Sequence, residues 1–335
     1  MASLMLQSTR MDWPTDWTAV FDRKAPLLIE IGFGGGDFLV DLVRKRPDAN
    51  VIGVELSLPS LKKAEKKLSM AELNNVRIFA GDAEQVLWAM CQAESLSEVY
   101  INFPDPWPKE RHHYRRLISD DFLHLLATRM PVGAQLDIAT DHVDYAAWIV
   151  EHLERTPYFN SRLGVTYVNE DLERVISKYE QKGFDEGRIG HYFKWQRNLT
   201  LAPDIFPIPK ELPMPHVIVN SPLSQNEISE AFTPMKFEQD GIYISIAEVF
   251  QSQYDGKLLL ETYVKERPLS QRLGLLIRQR EQGDYVVKMH EVGFPRPTVG
   301  IQIAIAHLAT WLVSLHPESE FVRSSLDEEY LKIGD

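Results

Sequence analysis

A single cysteine, Cys91, stands in a chain of 335 residues, so an internal disulfide and a thiolate metal cage are both excluded and a reducing, cytoplasmic setting is expected. No run of about eighteen apolar residues occurs, and Met1 to Arg10 lacks the basic, apolar and small-residue order of a secretion signal, so no membrane partner is expected. Positive charge is also scarce. Lys and Arg number 36 against 48 Asp and Glu, a formal net charge of -12, which is a poor balance for phosphate binding by the molecule as a whole. The first 200 residues carry 24 basic against 29 acidic side chains and the remainder 12 against 19, so the deficit is shared. What bases there are cluster at Arg44-Lys45-Arg46, at Lys62-Lys63 with Lys66-Lys67, and from Arg111 through Arg115-Arg116. The four lysines, three and four apart, equally describe one solvated helix face.

With 44% hydrophobic and 25% charged residues the chain can bury a full core and has room for two domains. Short apolar runs at Leu27 to Ile31, Val51 to Val54, Val76 to Ala80, Val99 to Phe103 and Leu136 to Ala139 read as buried strands. Helical spacing fills the gaps at Gly36 to Arg46, Ser57 to Glu72 and Ser119 to Met130, with Ser57 and Ser119 as N-caps. Alternation of this kind predicts an α/β fold, a doubly wound, mostly parallel sheet that binds its ligand where the strands end. Tyr192, Phe193 and Trp195 read as a final antiparallel strand. Five prolines between Pro203 and Pro215 interrupt the pattern. The expected domains are therefore a short N-terminal segment 1–24, an α/β domain 25–198, a proline-rich linker 199–215 and an accessory domain 216–335. Strands at Gly241 to Phe250, Lys257 to Val264 and Tyr285 to His290, then a helix from about Val299 to Leu315, make that last domain α+β and mostly antiparallel.

The first strand runs through Glu30-Ile31-Gly32-Phe33-Gly34-Gly35-Gly36 into a helix, a turn whose glycines let a ligand touch backbone. A dinucleotide fingerprint would place its third glycine where Asp37 stands. Glu55 and Asp82 end the next two strands, so three carboxylates line one rim. Such a rim repels a phosphate and suits a cation carrying an ammonium group.

The fourth strand ends in Asn102-Phe103-Pro104-Asp105-Pro106-Trp107-Pro108-Lys109, followed by the basic run from Arg111. The prolines stiffen this loop and are expected to hold Asp105 and Trp107 extended over the strand end. Trp107 would stack on a flipped base or plug against Phe103. A rigid carboxylate beside an aromatic ring and a basic run suits a flipped nucleobase with its phosphates.

This Pro-Asp-Pro-Trp loop running into Lys, Arg-His and Arg-Arg resembles the signature of the bacterial tRNA (guanine-N7)-methyltransferases, over roughly residues 25 to 198. The resemblance implies a Rossmann-like methyltransferase with a seven-stranded sheet. Its cofactor is S-adenosyl-L-methionine, its partner tRNA, and its product 7-methylguanosine at variable-loop position 46. It places Glu30, Glu55, Asp82 and Asp105 on the cofactor side, with Gly32, Gly34, Gly36, Ala83 and Asn102 beside them, and makes Asp105 the catalytic residue. On the tRNA side it points to Lys109, Arg111, Asp141 and the segment Ser177-Lys178-Tyr179-Glu180. The family usually has threonine where Ser177 stands, and members carry a longer basic arm before the first strand, so part of the tRNA grip is expected to be absent or replaced.

Guanine N7 has an available lone pair, so positioning rather than proton removal should dominate, with Asp105 or Asp141 stabilising the charge that develops on the base. His112 and His113 are adjacent without further ligands nearby, and no metal is expected. The intact acids argue against a purely RNA-binding protein, and Asn102-Phe103-Pro104-Asp105 lacks the double proline of amino-group methyltransferases. The C-terminal domain, at a charge of -7, is expected to stabilise the chain or to form a homodimer; Arg272, Arg278 and Arg280 are expected on an exposed strand face.

Overall fold

The computed structural model describes residues 4–7, 11–172, 174–206, 214–266, 269–292 and 295–330. It divides between Ile208 and Pro209 into two units.

In the first unit the chain order is β1 (Met5–Gln7), α1 (Trp17–Phe21), β2 (Leu27–Ile31), α2 (Asp37–Lys45), β3 (Asn50–Glu55), α3 (Leu58–Met70), β4 (Val76–Ala80) and α4 (Ala83–Gln85). There follow β5 (Leu96–Asn102), α5 (Asp120–Arg129), β6 (Gln135–Thr140), α6 (Val143–Arg155), β7 (Phe159–Ser161), α7 (Lys178–Asp185) and β8 (His191–Arg197). Ser57 and Ser119 cap α3 and α5 through hydrogen bonds from the backbone of Ser60 and Phe122. The sheet order is β1-β4-β3-β2-β5-β6-β8-β7, parallel except where β8 lies antiparallel between β6 and β7. All five residues of β2 are buried because both faces are covered. Ile29, Ile52, Val99 and Leu136 pack with α5 and α6, while Leu28, Val51 and Ile78 pack with α2 and α3. Strand order reverses between β2 and β5, which puts the ligand crevice at their carboxyl ends.

Two expectations need correction. The sheet has eight strands rather than seven, because Met5 to Gln7 pair in parallel with Ile78 to Ala80. This covers the otherwise unpaired edge of β4, and three residues are too few to show a strand period in sequence. Residues 199–206, read as linker, are fastened to the first unit instead. Arg129, 1% exposed, donates to Leu87 O, Trp88 O, Phe206 O and the Asp204 carboxylate.

The second unit comprises β9 (His216–Asn220), α8 (Gln225–Ala231), β10 (Met235–Gln239), β11 (Ile242–Gln251), β12 (Leu258–Glu266), β13 (Leu269–Gln279), β14 (Tyr285–Met289), α9 (Val299–Ser314) and β15 (Glu320–Ser324). Its seven strands, in the order β10-β11-β12-β13-β14-β9-β15, are antiparallel throughout. Helix α9 lays Ile301, Ile305, Leu308 and Leu312 against Val217, Leu260, Leu275 and Val287. Arg272 and Arg278 are exposed on β13, but Arg280 lies beyond it in a turn, paired with Asp284 at 2.8 Å. Among the described residues no helix is long and apolar enough to cross a membrane.

Candidate active site

The glycine turn after β2 divides into two functions. Gly32 and Gly34 have φ of +73° and +51°, and a Cβ at either would meet nothing within 4 Å, so the backbone conformation needs glycine and the space above is open. Gly36, at φ +77°, is different: a Cβ there would sit 2.7 Å from that of Ala64 in α3. It is a packing glycine that lets two helices approach. Glu55 is anchored over the turn, one oxygen accepting from Gly34 N and the other from Ser57 N, each at 2.8 Å. Asp82, exposed at the end of β4, caps α4 by accepting from Glu84 N at 2.8 Å, with Ala83 buried behind it. Lys67, counted from sequence among surface lysines, instead donates to Gly35 O at 2.7 Å and to Asp37 at 2.6 Å. Only its three exposed neighbours are left for an external partner.

Behind the turn lies a buried polar network. Glu30, 1% exposed, accepts from Asn102 Nδ2 at 2.8 Å through Oε1, and its Oε2 has no partner. Burial pushes this carboxyl up to about 7; the Asn102 hydrogen bond and Arg174 pull it down, and Glu55 adds to the rise. Asn102 Oδ1 accepts from Arg174 Nη1 at 2.8 Å, and Arg174 Nε faces both oxygens of Glu180 at 3.2 and 3.3 Å. Glu180 also accepts from the Tyr192 hydroxyl at 2.7 Å and closes a capping box with Ser177 at the start of α7. Sequence reasoning missed Arg174. Its only local signal is a position three residues before a helix cap, and its partners come from β5 and α7.

This network gives the segment 177–180 a structural task. Ser177 and Glu180 close the cap of α7, and the Glu180 carboxylate, 2% exposed, is turned to Arg174. Tyr179 is 52% exposed, and its ring lies 5.6 Å from that of Phe103. The Lys178 side chain lies outside the described residues. Asp141 is ion-paired with Arg188, which also reaches Glu186 and the Tyr179 hydroxyl, so its charge is already met. Gly183 packs on this pair, since a Cβ would lie 3.0 Å from Asp141 Oδ2.

The proline-rich loop departs from the extended geometry expected. Phe103 and Trp107 have φ of +50° and +43°, a left-handed conformation that is strained for aromatic residues and must be held by surrounding contacts. Arg116 supplies one of them. It is buried, donates to Pro106 O at 2.8 Å, and lies over the rings of Trp148 and Tyr145 at 4.8 and 5.2 Å. It belongs to the core rather than to the exposed basic cluster. Trp107 makes its ring contacts with Arg115, 4.8 Å away, and His112, while Phe103 turns to Tyr179 and Arg174. Asp105 is exposed and makes no hydrogen bond among the described residues. Lys109 and Arg111, four and six residues further along, are also exposed. No group of three His, Cys, Asp or Glu able to hold a metal occurs among the described residues.

On the α2 face of the sheet a cavity of about 240 Å3 is bordered by Phe38, Tyr100, Arg174 and Tyr192. Its charges largely answer one another: Arg162 pairs with Asp137, and Lys194 with Asp137 and Asp171.

A family model described as "Putative methyltransferase" matches residues 24–191. Two proteins named tRNA (guanine-N(7)-)-methyltransferase, from Thermotoga maritima and Thermus thermophilus, are 30% and 31% identical to this chain, each over 88% of it and 92% of the relative. The chain belongs to the tRNA (guanine-N(7)-)-methyltransferase family. A third tRNA (guanine-N(7)-)-methyltransferase, from Corynebacterium jeikeium, is 40% identical over 53% of this chain and 71% of its own length. The Thermotoga alignment spans 297 residues, more than the first unit contains, so this methyltransferase shares part of its second unit with that relative.

Proposed function

We propose that this S-adenosylmethionine-dependent tRNA (guanine-N7)-methyltransferase acts on the variable-loop guanine, position 46, with Asp105 as its catalytic carboxylate. The residues fit the cofactor: open space above Gly32 and Gly34 can take its backbone contacts, and the buried, unfilled oxygen of Glu30 suits an ammonium. Glu55 and Asp82, each held by backbone N–H groups, would accept from the ribose and the adenine edge. When bound, the cofactor supplies an electrophilic methyl group on a sulfonium.

The chain's own task is to hold guanine N7 in line with that methyl, since a lone-pair nucleophile needs no base. The methylated ring is cationic. Of the two carboxylates considered for it, Asp141 is occupied by Arg188, whereas Asp105 is unpaired on a stiffened loop at the end of β5; this contrast carries the assignment. A fixed acceptor there stabilises charge as it develops without reorganising. Lys109 at the end of that loop and Arg111 in the 3-10 helix Glu110–Arg115 that follows, both exposed, would take phosphate. We place the enzyme in the cytoplasm.

The test uses unmodified tRNA transcript, methyl-labelled S-adenosylmethionine and cleavage chemistry specific for 7-methylguanine. Cleavage at position 46 is expected, with kcat reduced by about 10²-fold or more in Asp105→Ala. Cleavage elsewhere would reject the site, and undiminished turnover would reject Asp105. We read the second unit as a stabilising or homodimer-forming module. A chain ending at Ile208 with unchanged mass, stability and tRNA affinity would refute that.

A further inference from the structure

We propose that Arg174 positions the amino-acid end of the methyl donor, its free guanidinium N–H taking the donor's carboxylate while Glu30, on the other side of Asn102, takes its ammonium. The proposal rests on S-adenosylmethionine being the donor.

Arg174 is held on three sides. Its Nε is paired with Glu180 and its Nη1 with Asn102. Aromatic rings of Phe38, Phe103 and Tyr192 lie 4.7, 5.5 and 5.7 Å from its guanidinium carbon. Phe38 is the second residue of α2, just after the glycine turn, and Phe103 opens the proline-rich loop, so these rings belong to the two walls of the crevice. The side chain is 7% exposed, yet Nη2 is buried and has no partner. In the same network Glu30 Oε2 is also buried and without a partner.

An unfilled donor on a buried cation and an unfilled acceptor on a buried anion are each unfavourable alone. They occur together, bridged by one asparagine amide that hydrogen-bonds to both groups and so fixes their separation. An α-amino acid carries an ammonium and a carboxylate on one carbon, and it fills both atoms at once. Glu180, the Tyr192 hydroxyl and the Ser177 cap then act as the scaffold that keeps the guanidinium fixed, which is why Glu180 is buried rather than facing the substrate. A planar guanidinium suits this task because two of its edges can stay occupied while a third N–H binds carboxylate.

The experiment compares two nucleoside ligands by calorimetry on the full-length chain. S-adenosylhomocysteine carries the amino-acid end, and 5′-methylthioadenosine lacks it. Arg174→Ala is expected to weaken S-adenosylhomocysteine about 10- to 100-fold, and to leave methylthioadenosine within about twofold, as an interaction confined to the missing group requires. Arg174→Lys should fall between. A ligand-side control needs no variant: the carboxamide of S-adenosylhomocysteine should bind the unaltered protein about tenfold or more weaker than the carboxylate. Equal loss for both ligands would make Arg174 a purely structural residue and overturn the proposal. Unchanged affinity for both would overturn it too. If unaltered protein binds neither ligand, the donor itself has been misread.

Discussion

The clearest consequence of the buried network is a pH-dependent stability set by Glu30. Its carboxyl has an ordinary pKa of 4.5 and is lifted to about 7 in the folded protein, chiefly by burial. A carboxyl raised in this way binds more protons folded than unfolded, so its contribution is fully present below the unfolded value and is lost as pH rises through the folded one. Once both states are ionised the folded state is penalised by about 3 kcal/mol, and about 2 kcal/mol of that emerges between about pH 5.5 and about pH 8.5. Glu30→Gln removes the titration while leaving an amide oxygen to accept from Asn102. In thermal melts of cofactor-free protein, the variant should therefore gain about 2 kcal/mol on the parent over that pH interval, a relative shift of roughly 4 to 8 °C for a unit of this size. Melting should be followed at both pH values with S-adenosylhomocysteine absent and then present. The ligand should restore the parent at high pH, because its ammonium meets the charge that burial penalises, and should help the variant less. A gap between parent and variant that does not change with pH would refute the reasoning.

Other perturbations separate packing from binding. Gly36→Ala should destabilise the fold by about 3 kcal/mol, from a positive φ and a clash with Ala64, and lower the urea midpoint. Gly32→Ala has open space and should cost about 1 kcal/mol of stability, its main effect falling on S-adenosylhomocysteine affinity. Arg111→Ala should weaken tRNA binding and reduce the slope of log K against log salt by about 1. Arg116→Ala, which removes the support under Pro106, should leave that slope alone and reduce single-turnover methylation of bound tRNA. Arg129→Met should lower stability by about 2 kcal/mol, less than a fully buried pair would, because Asp204 is 42% exposed and can be hydrated when unpaired. Limited proteolysis should then cut first near residues 202–206, which Arg129 fastens.

Local physics determined much of this protein directly from its sequence. Apolar runs bounded by caps set the strands and helices of the first unit, because a parallel sheet covered on both faces needs unbroken hydrophobic strands and Ser57 and Ser119 supply hydrogen bonds within one turn. The glycine turn was legible for the same reason, since glycine acts on backbone torsions whatever the fold, whereas the proline-rich loop was legible in its stiffness and not in its path, because tertiary contacts hold Phe103 and Trp107 at positive φ. Strand β1 was less legible, being three residues that pair with a partner about seventy positions away.

Tertiary structure alone decided the fate of individual charges. Lys67, Arg116, Arg129, Arg174 and Glu180 look in sequence like any solvated charge, and residues in one basic run ended in opposite environments, Arg116 buried and Arg111 exposed. A buried ion is stable only when distant groups converge on it, and Arg174 finds its partner in Asn102, 72 positions away. Sequence periodicity reports which face of an element is apolar; it does not report which far-off polar group meets that face, and in this protein those meetings shape the proposed cofactor pocket.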